Sequence, residues 1–168
     1  GDIVVTGVAE GTSKFDASYA VSTVDEQQIQ LLAPQSTADL VGKLPGFYVE
    51  ASGGESNNNI SPRGLPGSFG TRFIALQEDG MLFFQDPNEI YLNGDSFQRM
   101  DLMVDRVEAV RFGSAPIFTS NAPAGVINTI TRKGGDEAKG AIRLTWQDSG
   151  MKRLDAYASG PLGGDWYY

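Results

Sequence analysis

The sequence of 168 residues contains no cysteine and no histidine. The absence of cysteine excludes disulfide bonds and thiol catalysis, and the absence of histidine removes the commonest metal ligand and the usual base at neutral pH. No run of apolar residues approaches the roughly 20 that a transmembrane helix needs. These absences narrow the classes of enzyme and of metal site that the chain can form.

Positive charge is also scarce, with 13 Lys and Arg against 21 Asp and Glu and a formal net charge of −8. Because phosphate recognition needs clustered basic side chains, this balance argues against nucleic acid as a partner. The acids of the middle segment lack the alternate spacing around a glycine that a calcium loop requires. We predict that they are solvated loop acids rather than a metal site: Glu78, Asp79, Asp86, Glu89, Asp95 and Asp101.

Glycine is abundant, with 21 residues beside 8 prolines, and the apolar residues come in short runs. This composition predicts a loop-rich α+β or mostly β fold. A strand over residues 20–24 and a helix over 25–32 are expected, and Ser36 caps a second helix with Asp39 three residues later. Asp79-Gly80 indicates a tight hairpin turn.

The stretch "VDRVEAVRFGSAPIFTSNAPAGVINTITRKG", residues 104–134, has an ambiguous period. Val104, Val107 and Val110 recur every three residues as on a helix, whereas Val107, Ala109 and Arg111 share a face if the segment is a strand. We predict a turn over residues 104–106, then a strand over 107–111 and another over 125–132.

The last third alternates cleanly between apolar and polar residues. Ile142, Leu144 and Trp146 share one face of a predicted strand, and "MKRLDAYAS" repeats the scheme after a tight turn. A further strand begins at "DWYY". Alternation of this kind is typical of a transmembrane β-barrel, although a soluble half-buried hairpin has the same pattern.

Four segments resemble, in order, the plug domain of TonB-dependent outer-membrane receptors. They are "DIVVTG", similar to the TonB box of that family, "STADLVGKLPGFYVEASGG", "ISPRGLPG", and the stretch over residues 104–134. Phe112 and Ala124 depart from glycines of the family pattern. The resemblance implies an α+β fold, in which a small mixed-sheet plug with short helices precedes the first antiparallel strands of a transmembrane β-barrel. The implied division is an arm over residues 1–7, a plug over 8–135 and an incomplete barrel over 136–168.

The resemblance also implies roles for particular residues. Arg63 and Arg111 would face carboxylates on the barrel wall, because a guanidinium holds a carboxylate by two parallel hydrogen bonds. Phe69 and Tyr91, on apical loops, would contact the ligand. The residues expected to bind TonB are Asp2, Ile3, Val4, Val5, Thr6 and Gly7.

The function implied is gating of nutrient uptake, with a ferric siderophore, a carbohydrate or another small molecule as substrate. The implied partners are the periplasmic C-terminal domain of TonB, the receptor's own β-barrel and the outer membrane of a Gram-negative bacterium, with the plug in the lumen and the N-terminus in the periplasm. Neither catalysis nor a cofactor is expected. A soluble β-rich ligand-binding module, periplasmic or extracellular, is the alternative, and a carboxylate-based hydrolase is a third interpretation.

Overall fold

The structure is a computed structural model that describes residues 3–4, 6, 12–13, 20–51, 54–62, 64–65, 71, 73–83, 93–111 and 122–168. None of the helices in these ranges has the length and apolar character needed to cross a membrane. The two α-helices are α1 (Glu26–Leu32) and α2 (Thr37–Val41), and a 3-10 helix spans Gly94–Phe97. The strands are β1 (Ile3–Val4), β2 (Thr12–Ser13), β3 (Ala20–Val24), β4 (Phe47–Glu50), β5 (Asn59–Pro62), β6 (Ile74–Glu78), β7 (Met81–Leu82), β8 (Val104–Arg111), β9 (Gly125–Thr131), β10 (Lys139–Trp146), β11 (Lys152–Ser159), β12 (Pro161–Gly163) and β13 (Trp166–Tyr167).

The central sheet is mixed and has the strand order β3-β8-β9-β6-β7. β6 and β9 run parallel, and the other neighbours run antiparallel. Two parallel neighbours need a long connection, and here β7, the 3-10 helix and β8 lie between them along the chain. β1 pairs with β2 and β4 with β5 in separate two-stranded sheets. This arrangement confirms the predicted α+β fold with a small mixed sheet and short helices.

Local capping determines where both helices begin; the cap at Ser36 is as predicted, whereas Asp25, predicted as the first helical residue, is the cap of α1. Asp25 Oδ1 accepts a hydrogen bond from the Gln28 backbone N–H at 2.8 Å, and Gln28 Oε1 accepts from the Asp25 N–H at 3.2 Å. α1 ends at Leu32, and the next residue, Ala33, caps it with a left-handed φ of 42°. Ser36 Oγ accepts from the Asp39 N–H at 3.0 Å and so caps α2. Side chains thus satisfy donors that the first turn of each helix leaves open.

The core lies mainly between the helices and one face of the central sheet. Because side chains alternate along a strand, the opposite face holds a second, smaller cluster. Burial of each large aliphatic side chain contributes about 1.5–3 kcal/mol to folding. Fully buried members of the main core include Leu40, Val41, Ile60, Ile74, Leu76 and Ile127, and the second cluster contains Ala75, Val110, Ala122 and Val126.

The predicted turn over residues 104–106 is wrong, because β8 already begins at Val104. Val104 pairs with Thr131 and Arg106 with Ile130, so β8 carries one additional residue, Asp105, at this point. Such a β-bulge moves the following side chains to the other face. Val104 and Val107, three residues apart, therefore both reach the main core, which explains the helix-like spacing in the sequence.

The sheet also explains one glycine of the family pattern. A Cβ at Gly125 would lie 2.5 Å from the carbonyl oxygen of Val110, so β8 and β9 approach each other too closely for a side chain there. Ala124, which replaces the preceding glycine of the pattern, is fully buried in the main core. The close approach thus requires the second glycine.

β10 and β11 form a hairpin with eight consecutive register pairs, from Lys139 opposite Ser159 to Trp146 opposite Lys152. Apolar side chains point to the exposed face, as predicted, with Ile142 75%, Leu144 81% and Leu154 66% exposed. The polar side chains between them are half-buried. The hairpin therefore has one apolar face open to the surroundings and one polar face toward the rest of the described chain.

Candidate functional site

The N-terminal segment reaches the central sheet at Thr6. The Thr6 backbone N–H donates to Oε2 of Glu108 at 2.9 Å, and the Thr6 hydroxyl accepts from the side-chain amide of Asn128 at 2.9 Å. Glu108 and Asn128 are register partners on β8 and β9. Thr6 is only 2% exposed. One residue of the predicted TonB box is thus held against the plug by two neighbouring strands.

Glu108 is a fully buried carboxylate whose charge is balanced on its own strand. Arg106 lies two residues earlier on the same face, and its Nε donates to Glu108 Oε1 at 3.0 Å. A buried carboxylate without such a partner would be strongly unfavourable. Sequence reasoning missed Glu108, although a charged residue between Val107 and Ala109 in an apolar strand is a usable signal.

Arg111, at the end of β8, points toward the Pro-Gly turn that follows α2. Its Nη1 donates to the carbonyl oxygen of Pro45 at 3.0 Å, and its Nε is buried with no hydrogen-bond partner in the described part of the chain. The side chain passes so near Gly46 that a Cβ there would lie 2.8 Å from Arg111 Cδ. Among the described acids, none forms an ion pair with Arg111. The predicted carboxylate partner on the barrel stays a prediction.

Two arginines on the polar face of the hairpin contact the plug, and sequence reasoning missed both. Arg143 and Arg153 each donate through Nη2 to the carbonyl oxygen of Met100, at 3.3 and 3.1 Å. Asp155 lies between them and accepts from both guanidinium groups. Arg153 also reaches Glu55, at 3.3 Å between Nη1 and Oε1. The alternation marks these side chains as inward, but their plug partners are distant in sequence.

A third arginine, Arg132, joins α1, the central sheet and the hairpin. Its Nη2 lies 2.9 Å from Glu26 Oε1, and its guanidinium carbon lies 4.8 Å from the centre of the Tyr157 ring. The hydrogen bond from Arg132, reinforced by its charge, holds the pKa of Glu26 below its ordinary value. The same contact raises the pKa of Arg132. This contact fixes α1 to the segment that leads into the hairpin.

The prediction that the acids of the middle segment are solvated is wrong for Asp95, which is fully buried. Its Oδ1 accepts from the Asn57 N–H at 3.0 Å, and its Oδ2 accepts from the backbone and side-chain N–H groups of Asn58 at 3.0 and 2.9 Å. These donors replace water around the carboxylate. Asp95 thus fastens the β4–β5 turn to the 3-10 helix. Within the ranges that the structure covers, no three acidic side chains gather as a metal site.

Several predicted residues lie outside the described residues, and their roles stay predictions. Of the predicted TonB box, Ile3 and Val4 form β1, which pairs with Thr12 and Ser13 of β2. The predicted site residues that lie outside the ranges described by the structure are Asp2, Val5, Gly7, Arg63, Phe69 and Tyr91. The acids Asp86 and Glu89 also lie outside these ranges.

Comparison with known proteins identifies relatives across most of the chain. A hemin receptor from Yersinia enterocolitica is 28% identical over 158 residues, which cover 94% of this chain and 21% of the receptor. The vitamin B12 transporter BtuB from Photobacterium profundum is 24% identical over 144 residues, which cover 85% of this chain and 22% of the transporter. The chain spans about a fifth of the length of these relatives.

A solved structure of FpvA from P. aeruginosa, bound to heterologous pyoverdines, has the same fold. Its TM-score is 0.79 at 22% identity, with 95% of this chain and 20% of that chain covered. The family model of the TonB-dependent receptor plug domain matches residues 13–126. This range includes the central sheet up to the start of β9, the buried Glu108 and both capped helices. The chain therefore belongs to the family of TonB-dependent receptor plug domains.

Proposed function

We propose that the chain is the N-terminal plug region of a TonB-dependent outer-membrane transporter and that it gates the energised uptake of a scarce small molecule. The observation that carries the proposal is the two-faced β10–β11 hairpin, whose polar arginines contact the plug while its apolar face is exposed. Such a hairpin suits the wall of a lumen that encloses the plug. The proposed division is an arm over residues 1–7, a plug over 8–135 and barrel strands from 136 onward.

The dimensions of the hairpin support a place in the outer membrane of a Gram-negative bacterium. Eight residues of β10 span roughly 27 Å along the strand, which at a tilt of about 40° covers about 21 Å of the apolar band of outer-membrane barrels, about 25 Å tall. Trp146 lies at one end of the hairpin, and Trp166 and Tyr167 follow its other end. Aromatic residues at both edges of an apolar band suit the two membrane interfaces. The proposed orientation has the plug in the lumen and the N-terminus in the periplasm.

The proposed mechanism is transport by gating and involves no catalysis. Substrate binding to the apical loops, where Phe69 and Tyr91 are proposed ligand contacts, and to the barrel releases the arm over residues 1–7. The periplasmic domain of TonB then adds this arm to its own sheet as a strand. In the described part of the chain β1 pairs with β2 alone, which leaves its second edge for a partner. Energy comes from the inner-membrane proton gradient through TonB.

Three acids in structural contacts support a role other than catalysis. Glu108 is paired with Arg106, Asp95 accepts hydrogen bonds from Asn57 and Asn58, and Asp155 lies between two arginines. A general acid or base must be free to exchange its proton with a substrate. These three carboxylates instead serve structural contacts.

The proposed substrate is a ferric siderophore or another scarce small molecule that the receptor captures at the cell surface. The names of the relatives include a hemin receptor and a vitamin B12 transporter, and FpvA was solved with pyoverdines. One plug architecture therefore accompanies cargo of several chemical kinds. A carbohydrate substrate remains compatible with this plug.

The TonB step is tested by capture of the full-length receptor on the immobilised C-terminal domain of TonB. Val5→Pro removes a backbone N–H from the arm and disfavours strand pairing, so we expect capture to be lost. Val5→Ala keeps the backbone donor and is the matched control that is still captured. Equal capture of the two variants would refute the assignment of the arm, and absence of capture of the unmodified receptor would refute the proposed partner.

A further inference from the structure

Asp95 is a fully buried carboxylate that the proposed gating mechanism does not use. It follows closely after the second of two segments, residues 66–70 and 84–92, here called the loop segments, which carry the proposed ligand contacts Phe69 and Tyr91. We propose that Asp95 is a positioning residue of the ligand site, which holds the bases of the two loop segments at a fixed separation. This inference rests on the proposed function, in which Phe69 and Tyr91 contact the substrate.

Asp95 lies in the 3-10 helix that follows the second loop segment, and it binds the turn that precedes β5. Its Oδ1 accepts the backbone N–H of Asn57 at 3.0 Å, and its Oδ2 accepts the backbone N–H and the side-chain amide of Asn58 at 3.0 and 2.9 Å. Asn93, at the end of the second loop segment, donates through Nδ2 to the carbonyl oxygen of Asn58 at 2.8 Å. The base of the second loop segment is thus joined to the start of β5, the strand that leads toward the first.

The other end of the first loop segment meets the same 3-10 helix. Thr71, which follows this segment, is fully buried. A Cβ at Gly94 would lie 3.5 Å from Thr71 Oγ1 and 3.4 Å from Leu76 Cδ1, so Gly94 packs between the end of the first loop segment and β6. The second loop segment begins after Phe83, whose N–H donates to the carbonyl oxygen of Leu76 at 3.0 Å. The bases of both loop segments therefore converge on the helix that contains Asp95.

The turn that Asp95 binds also reaches the hairpin. Glu55 lies two residues before Asn57, and its Oε1 is 3.3 Å from Nη1 of Arg153. Arg99, four residues after Asp95, donates to Glu55 Oε2 at 2.7 Å. The turn therefore contacts the helix of Asp95 on one side and the polar face of the proposed barrel wall on the other. A ligand site that plug loops and barrel share requires such a fixed relation between its parts.

A carboxylate suits this junction because N–H donors converge on both of its oxygens. An asparagine at position 95 has nearly the same shape, but its NH2 group must face at least one of these N–H groups. A buried donor then lacks its acceptor. Asp95→Asn therefore loosens the junction with almost no change in volume. Loop segments released in this way lose more conformational entropy on binding, so they bind the substrate more weakly.

The test measures the distance between the loop segments in the full-length receptor, without substrate or TonB. Nitroxides on Phe69→Cys and Tyr91→Cys give a distance distribution by pulsed electron spin resonance; this chain contributes no other cysteine. We expect Asp95→Asn to raise the fraction of receptors outside the main distance peak about tenfold, as loss of one buried hydrogen bond predicts. Asp101→Asn is the matched control, because the Asp101 carboxylate accepts the Met103 N–H within its own turn. Equal distributions for Asp95→Asn and Asp101→Asn would overturn the proposal.

A second pair of labels separates positioning of the loop segments from a general loosening of the plug. Leu31→Cys on α1 and Met81→Cys on β7 replace side chains that are 86% and 73% exposed in this chain. We expect Asp95→Asn to leave the distance between these two labels unchanged. Equal broadening for both pairs of labels would show that Asp95 stabilises the plug as a whole, and it would overturn the positioning role.

Asn58→Ala keeps the test decisive if the Asp95→Asn receptor does not fold. This change removes one donor to Asp95 and keeps both the charge and the backbone N–H groups. We expect a broader distribution between positions 69 and 91, and an unchanged one would overturn the proposal. Because these distances need neither substrate nor TonB, failure of positioning leaves TonB capture and its dependence on Val5 intact, whereas failure of TonB capture leaves the distances unchanged.

Discussion

Glu108 and Asp95 are both fully buried carboxylates, yet different groups stabilise them. Glu108 has a guanidinium from Arg106 and a backbone N–H from the arm. Asp95 instead accepts N–H groups from the turn that contains Asn57 and Asn58. The carboxylate on the sheet is therefore paired with a charged group, whereas the carboxylate in the loop accepts neutral N–H groups and fixes a turn in place.

The Glu26–Arg132 pair predicts a pH dependence at the residue scale. Since the pKa of Glu26 is lowered in the folded chain, its contribution to stability is full above the ordinary pKa of glutamate and is lost as the pH falls through the lowered value. The Glu26 side chain is 42% exposed, so solvent screening limits the pair to about 0–1 kcal/mol. We expect Glu26→Gln to reduce the hydrogen-exchange protection of α1 at pH 7.

At pH 3 the difference in protection between Glu26→Gln and the unmodified receptor is expected to shrink, once intrinsic exchange rates are corrected for. Glu50→Gln is the matched control, because Glu50 is an exposed plug acid on β4 whose side chain contacts Tyr48 and Asn59 rather than α1. A difference for Glu26→Gln that is the same at both pH values would show that the ion pair does not stabilise α1.

At the scale of elements, the sequence predicts well what depends on neighbours along the chain. The cap at Ser36 and the alternation of β10 and β11 are local, and the structure confirms them. The bulge at Asp105 depends on the register of β8 against β9, so the spacing of valines alone could not distinguish it from a turn. The resemblance to a known family added the small mixed sheet with short helices, which periodicity does not contain.

The contacts of the candidate site join residues that are far apart along the sequence, so local patterns cannot predict which residues pair. Arg153 and Glu55 are 98 residues apart, and Thr6 and Glu108 are 102 apart. The alternation of β11 places Arg153 on the polar face of the strand, but no local pattern identifies its acceptor. The plug–barrel contact that sequence reasoning assigned to Arg63 and Arg111 stays a prediction. Within the described part of the chain, Arg143 and Arg153 connect the hairpin to the carbonyl oxygen of Met100.

The hairpin arginines give a prediction at the element scale. Arg153 bridges Asp155, Glu55 and the Met100 carbonyl, and a lysine ammonium does not reproduce this fork of donors. We expect Arg153→Lys to lower the free energy of separating the plug from the hairpin by about 1–3 kcal/mol. The measurement is the urea midpoint for exposure of the β4–β5 turn in the full-length receptor, followed by hydrogen exchange.

Arg99→Lys is the matched control for this change. Arg99 shares Glu55 with Arg153, at 2.7 Å, but its side chain is 62% exposed and lies on the plug. An exposed pair of this kind contributes about 0–1 kcal/mol, so the urea midpoint is expected to move little. Equal shifts for Arg153→Lys and Arg99→Lys would show that the hairpin contact does not hold the plug.

At the scale of the whole molecule, the polar contacts lie inside and an apolar surface lies outside the hairpin. Arg143, Arg153 and Arg132 connect the hairpin or the segment before it to the plug, while Leu144 and Leu154 are opposite each other on the outer face. In a soluble domain this outer face would expose apolar side chains to water along a whole hairpin. In a bilayer, lipid covers the same face. The soluble module and the barrel wall therefore differ in the medium that surrounds this face.

Leu144 gives the prediction that decides between these media. If the outer face lies in lipid, an arginine near the middle of the apolar band destabilises folding by about 2–4 kcal/mol. We therefore expect Leu144→Arg to reduce the folded fraction of the full-length receptor in bilayers, measured by heat-modifiable mobility in electrophoresis, whereas Leu144→Phe preserves it. In a soluble protein the arginine would be well solvated and would improve solubility. Unchanged folding of Leu144→Arg, with the protein recovered free of membranes, would contradict the proposed barrel wall.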